Sequence, residues 1–175
     1  MAKPDYIEFQ ERSVALAYFI SFRTYGTWFH GDERGSVDRR YFNRYGGSKI
    51  DADPKKISAE RKLMKSPPIK LNAKQRNVII SSIGEVCTIR RYPLYGLNVR
   101  TNHVHLVVGN CGQVERMMDT FKAYATRALR KAALIGDGKV WSRHGSTRYL
   151  WTDRHIEVAV DYVLNGQGAD LPTFD

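Results

Sequence analysis

The sequence predicts an α+β fold in which an antiparallel sheet carries amphipathic helices. Two apolar stretches, Ser13 to Thr24 and Thr101 to Val108, have the length and the β-branched and aromatic content of strands. Two longer stretches, opening at Asn72 and at Val114, repeat apolar residues every three or four positions. With a second strand before Thr101, the order is strand, helix, hairpin, helix. A chain of 175 residues, 42% of them hydrophobic, can build one domain with a real core and is short for two, so 1–175 is read as a single domain.

The first strand alternates Val14, Leu16, Tyr18, Ile20 and Phe22 with Ala15, Ala17, Phe19 and Ser21. Apolar residues on both faces place it centrally in the sheet. Residues from about 25 to 71 read as a basic loop or insertion. In its first part Trp28, Phe29, Tyr41, Phe42 and Tyr45 are interleaved with Arg34, Arg39, Arg40 and Arg44. Rings beside cations suit an unpaired nucleic-acid strand, and equally a surface loop anchored by its aromatics. Its second part carries Lys55, Lys56, Arg61, Lys62 and Lys65 and predicts a short helix around Ser58 to Lys65. Asn72-Ala73-Lys74-Gln75 then resembles a capping box, opening a helix with Val78, Ile79, Ile80, Ile83, Val86 and Cys87 inward. That helix should stop before Tyr92-Pro93, and Pro93 to Val99 is a strand turning at Arg100 to Asn102.

In the strand that follows, residues two apart share a face. His103 and His105 therefore stand side by side, with Val104, Leu106 and Val108 on the opposite surface. Two neutral imidazoles so placed can share one divalent ion. The next helix, Val114 to Leu134, has Val114, Met117, Met118, Phe121, Ala125, Ala128 and Ala132 on its apolar stripe. Tyr124 falls at the margin of that stripe, with Thr120, Arg127 and Lys131 on the polar side. Val140 to Trp151 supplies either the strand that completes a ferredoxin-like sheet or a substrate-facing loop. Thr152 and Asp153 are N-cap candidates for a last helix, Ile156 to Leu164, with Ile156, Ala159, Val160 and Val163 inward. It forms a C-terminal extension at about 152–168, stopped by Gly166-Gln167-Gly168.

Asn102-His103-Val104-His105-Leu106, joined to a helix carrying Phe121-Lys122-Ala123-Tyr124-Ala125-Thr126-Arg127, resembles the IS200-like single-tyrosine (Y1) HUH transposases. The similarity is strongest from Tyr92 to Lys131 and is nearest to the branch associated with repetitive extragenic palindromes, the REP-associated tyrosine transposases. The resemblance implies an HUH-type ferredoxin-like sheet with helices packed on one face. It also implies His103 and His105 as metal ligands, a divalent Mg2+ or Mn2+ ion, and Tyr124 as a nucleophile that forms a 5'-phosphotyrosine and frees a 3'-hydroxyl. Its implied substrate is single-stranded DNA, often a hairpin from palindromic repeats, handled by a monomer or a homodimer. Arg100, Lys122, Arg127, Lys131, Arg143 and Arg148 are candidate contacts to that DNA. Such transposases place a Gln or Asn ligand one turn after the tyrosine, where this chain has Ala128. His144, Gln167, Asp119 and His30, in that order, are candidates to complete the ligand set.

Composition agrees with a polyanionic partner. Lysine and arginine exceed aspartate and glutamate by ten, which favours phosphate contacts. No apolar run approaches the ~20 residues needed to cross a bilayer, and Met1 to Arg12 is too polar for a signal peptide, so a cytoplasmic protein without membrane contact is expected. Cys87 and Cys111 lack zinc-ligand spacing and are read as reduced packing residues. Other readings have discriminators. A replication initiator or relaxase would carry further domains, and a small hydrolase would not need the tyrosine. A non-catalytic single-stranded nucleic-acid-binding domain would bind without covalent chemistry; the RNA-recognition pattern of Lys/Arg-Gly-Phe/Tyr-Gly-Phe is missing.

Overall fold

The strand Ala17–Thr24 (β1) has a neighbour on each side, as its two-faced apolar pattern predicts. It belongs to a computed structural model that describes residues 14–29, 32, 52–169 and 171. Tyr41, Phe42, Tyr45, Arg34, Arg39, Arg40, Arg44 and His30 lie outside the described residues. After β1 come α1 (Pro54–Lys62), α2 (Ala73–Arg90), β2 (Leu94–Val99), β3 (His103–Gly109), α3 (Val114–Lys131), β4 (Trp141–Leu150) and α4 (Asp153–Asn165). The strands form one antiparallel sheet in the order β2-β3-β1-β4. With α2 and α3 as the two crossovers, this is the ferredoxin-like βαββαβ arrangement within an α+β fold.

Local chemistry explains the boundaries. The side chain of Asn72 accepts from the Gln75 N–H and that of Gln75 accepts from the Asn72 N–H, both at 2.9 Å, so the capping box that opens α2 is complete. Arg91, left-handed at φ 56°, ends the helix before Pro93. α1 starts earlier than predicted because the Asp53 carboxylate caps it and Pro54 suits the first turn; it buries no side chain. Val140 to Trp151 resolves as a strand, with a register irregularity against β1 between Phe22 and Thr24. Gly145 sits where β4 passes closest: a Cβ there would collide with the Ser21 carbonyl and the Met118 sulfur.

The two faces of the sheet are covered differently. Ile20, Phe22, Val104, Leu106 and Val108 form the main core with Ile79, Ile83 and Val86 of α2 and Met117, Phe121, Ala125 and Leu129 of α3. In the two crossover helices, two side chains depart from the predicted pattern. The inward face of α2 is centred between Ile79 and Ile83, leaving Ile80 42% exposed at its margin. The stripe of α3 ends on Leu129, so Ala132 is exposed. On the opposite face Ala17, Val107, Leu150 and Val163 form a smaller cluster, flanked by Phe19, Ile156, Ala159 and Val160. The helix over this second face is α4. Of the cysteines Cys87 is buried as predicted, whereas Cys111 is exposed; both are free thiols. No described helix is long and apolar enough to cross a membrane.

Candidate functional site

The alternation of β3 sends Val104, Leu106 and Val108 into the main core, so His103 and His105 project from the other face, under α4. Their rings lie 4.5 Å apart, centroid to centroid. His105 is 8% exposed, with Phe19 at 5.3 Å and Tyr162 of α4 at 5.9 Å. Burial, reinforced by the neighbouring charges of His103 and Arg23, pushes the His105 imidazole down to about 3, so it is neutral at physiological pH. Its Nδ1 is buried without a hydrogen-bond partner.

His103 is oriented by its neighbours. Its Nδ1 lies 2.7 Å from Asn102 Oδ1, an acceptor, so Nδ1 carries the hydrogen. Its Nε2 lies 3.2 Å from Gln167 Oε1. The Gln167 amide is set by its own Nε2–H, which donates to the Tyr162 carbonyl at 3.0 Å. A neutral His103 would thus present a lone pair to another acceptor, and such a pair is satisfied by a proton or by a cation between the two atoms. Among the described residues no three His, Cys, Asp or Glu side chains stand together, so a third donor from these residues would be of another kind. The Gln167 amide oxygen is one.

Three tethers hold the C-terminal segment over the histidines. Asn98, the cross-strand partner of His105, donates to the Val163 carbonyl at 2.9 Å, and Arg100 donates to the Ala169 carbonyl at 2.9 Å. Gln167 itself is the third. At the N-terminal end of α4 the Thr152 hydroxyl accepts from the His155 N–H. Tyr162 is 47% exposed, its ring edge-on to Phe19 at 6.0 Å, and so stands at the open margin of the pair.

The other residues singled out from the sequence are placed elsewhere. Tyr124 lies on α3, packed against the main core with the Arg127 guanidinium 4.2 Å from its ring, and the sheet separates it from the histidines. Ala128, Asp119 and Lys131 share that helix. Lys122 is buried, and its ammonium donates to the Ser142 and His144 carbonyls, so it ties α3 to β4 rather than standing at the surface. His144 is exposed on β4, with β1 between it and β3. Arg148, opposite Phe19 in the β1–β4 pairing, shares the histidine face and is exposed; Arg143 is exposed near the start of β4.

Two residues of this site escape a reading by periodicity. Arg23 hides at the end of an apolar strand, yet it is the direct cross-strand partner of His103 and its guanidinium stacks over Trp28 at 3.8 Å. Tyr162 hides beside the inward stripe of the last helix. The available signal was topological: two crossover helices fill one face of a ferredoxin-like sheet, so a helix after the last strand is the one free to cover the histidines.

No protein-family model matches the chain, and no curated protein matches it in sequence. Among the solved structures that the chain matches are two transposase structures. One is a REP-associated tyrosine transposase bound to a REP hairpin, 10% identical with a TM-score of 0.49, aligned over 86% of this chain. This chain spans 65% of that protein's length. The other, assigned provisionally as a transposase of Deinococcus radiodurans R1, is 14% identical with a TM-score of 0.43, aligned over 97% of this chain and 100% of its own.

Proposed function

We propose that the chain is a metal-dependent DNA transposase or nickase that cleaves and rejoins single-stranded DNA through a tyrosine-linked intermediate, with Tyr162, and not Tyr124, as the nucleophile. The observation that carries the reading is the convergence on one face of His103, His105, Tyr162 and Gln167. His103, His105 and Gln167 would hold the ion. A divalent Mg2+ or Mn2+ there supplies charge that polarises a phosphoryl oxygen and offsets the charge developing at phosphorus.

The chain's own groups carry the remaining steps. Asn102 fixes the His103 tautomer so that Nε2 faces the site, and burial keeps His105 neutral. Arg23, beside His103, and Arg148, on the same face, meet the phosphates of the bound strand. The Tyr162 oxygen attacks phosphorus: a phenolate oxygen–phosphorus bond forms and the bond to the 3'-oxygen breaks. The phenolic proton passes to solvent, and the departing 3'-oxygen takes one up. The phosphotyrosine conserves the energy of the broken bond, so reversal onto another 3'-hydroxyl rejoins DNA without a nucleotide cofactor.

The test is incubation with labelled single-stranded hairpins in Mg2+, Mn2+ or chelator, followed by denaturing electrophoresis. A metal-dependent covalent adduct that is lost in Tyr162→Phe and His103→Ala but kept in Tyr124→Phe is expected. Loss in Tyr124→Phe with retention in Tyr162→Phe would return the nucleophile to α3. Binding with no adduct under any condition would favour the non-catalytic nucleic-acid-binding domain.

A further inference from the structure

A groove of about 680 Å³ opens at the end of the sheet where β1 stops and β4 begins, on the side away from the histidines. Its lining brings Tyr25, Trp28 and Phe29, from the segment after β1, together with Lys139, Trp141 and Arg143 around the start of β4. Trp141 is rigid: its indole N–H reaches the Lys122 carbonyl and the Thr126 hydroxyl, both at 3.0 Å, and its ring meets Phe22 edge-on. The charge of the groove is net positive. Lys122 and Arg130, fixed by backbone carbonyls, join Lys139 and Arg143 against the carboxylates of Glu60 and Asp137.

The groove and the histidine face meet at one residue. Arg23 stands beside His103 in the β1–β3 pairing, and its guanidinium covers the ring of Trp28, which lines the groove. A strand with one phosphate near His103 would pass Arg23 at the end of the sheet and present its next base to Trp28. Aromatic rings among fixed cations are the chemistry that holds unpaired bases, whose flat faces stack whatever their identity.

We propose that this groove binds an unpaired nucleobase of the single strand, stacked on the face of Trp28 opposite the Arg23 guanidinium, with the adjoining phosphates on Lys139 and Arg143. The proposal rests on the reading of the histidine face for the direction of the strand, and not for the binding itself. Its shared chemistry is a base on a phosphodiester chain, so the test carries both a DNA and an RNA arm.

The test uses the full chain with labelled 15-mers of oligothymidine and oligouridine, a duplex of the same length, and 5-iodouracil oligonucleotides for photocross-linking. Single strands should bind in preference to duplex. Trp28→Ala should weaken single-strand binding roughly 5- to 150-fold, the range for losing one base–aromatic stack. Lys139→Glu should weaken it further and reduce its salt dependence. Cross-linked peptides should contain Tyr25, Trp28, Phe29 or Trp141. Cross-links confined to Tyr149, Trp151 or Tyr162 would overturn the groove, as would full-strength binding by a folded Trp28→Ala protein. The cross-link is read on the unmodified chain, so it decides even where a variant fails to fold. Groove cross-links without hairpin cleavage would retire the transposase reading and leave the groove; cleavage with cross-links elsewhere would do the reverse.

Discussion

Gln167 and His103 face each other at 3.2 Å through a carbonyl oxygen and a ring nitrogen, across the gap between the end of α4 and the start of β3. Asn102 occupies the far side of the ring at 2.7 Å, so the orientation of His103 is determined from both sides. In the proposed site the amide donor that the family resemblance implies one turn beyond Tyr124 would be Gln167, five residues beyond Tyr162.

From this pairing we predict that Mn2+ binding, measured by calorimetry, is weakened by on the order of 10- to 100-fold in Gln167→Ala. Ala128→Gln should leave it unchanged, because α3 lies across the sheet. Equal affinities for wild type and Gln167→Ala would remove Gln167 from the ligand set.

His105 makes the stability of the metal-free protein depend on pH. Its folded value of about 3 lies below the ordinary 6.5, so between the two the unfolded chain binds more protons and stability rises with pH. The contribution is complete above about 6.5 and is lost as pH falls toward 3. In chelator, urea midpoints should therefore decline from pH 7 to pH 4, and His105→Leu should flatten the decline. A parallel slope in His105→Leu would assign the dependence to other groups.

Lys122 and Arg148 should separate stability from DNA binding. Lys122→Met leaves the Ser142 and His144 carbonyls without their donor, at a cost of about 1–3 kcal/mol in a melting experiment. The slope of log affinity against log salt should change little, because the Lys122 ammonium is held by those two carbonyls while the phosphates of the groove fall to Lys139 and Arg143. Arg148→Ala should do the opposite, lowering that slope by about 1 with a smaller change in melting temperature than Lys122→Met.

Gly145→Ala should destabilise the protein by about 1–3 kcal/mol, because the added methyl meets the Ser21 backbone as well as Met118. A simultaneous Met118→Ala should recover only part of the loss, since the Ser21 carbonyl cannot withdraw without disturbing the β1–β4 pairing. Full recovery would place the whole collision on the flexible Met118 side chain.

The strand–helix order, the capping box of α2 and the shared face of His103 and His105 were legible because each depends on neighbours within a few residues. Periodicity also identified the inward residues of the last helix. It does not say which face of a sheet a helix covers, and on that point the pairing of Tyr124 with the histidines failed. Nor does it reveal that the irregular start of β4 turns two carbonyls toward Lys122, converting an apparent surface cation into an internal tie. Arg23 was missed because a strand's apolar pattern conceals a cation at its end until the register with β3 is known.

Only one side chain of α4, Val163, is fully buried; Ile156, Ala159 and Val160 are half-buried beside it, and Asn98 of β2 donates to the Val163 carbonyl. Its amides will accordingly exchange with deuterium sooner than those of α2 and α3, whose inner faces pack against each other and the sheet. Opening of α4 ahead of the main core, which the exchange experiment would read, would uncover His103 and His105 while α2 and α3 stay packed.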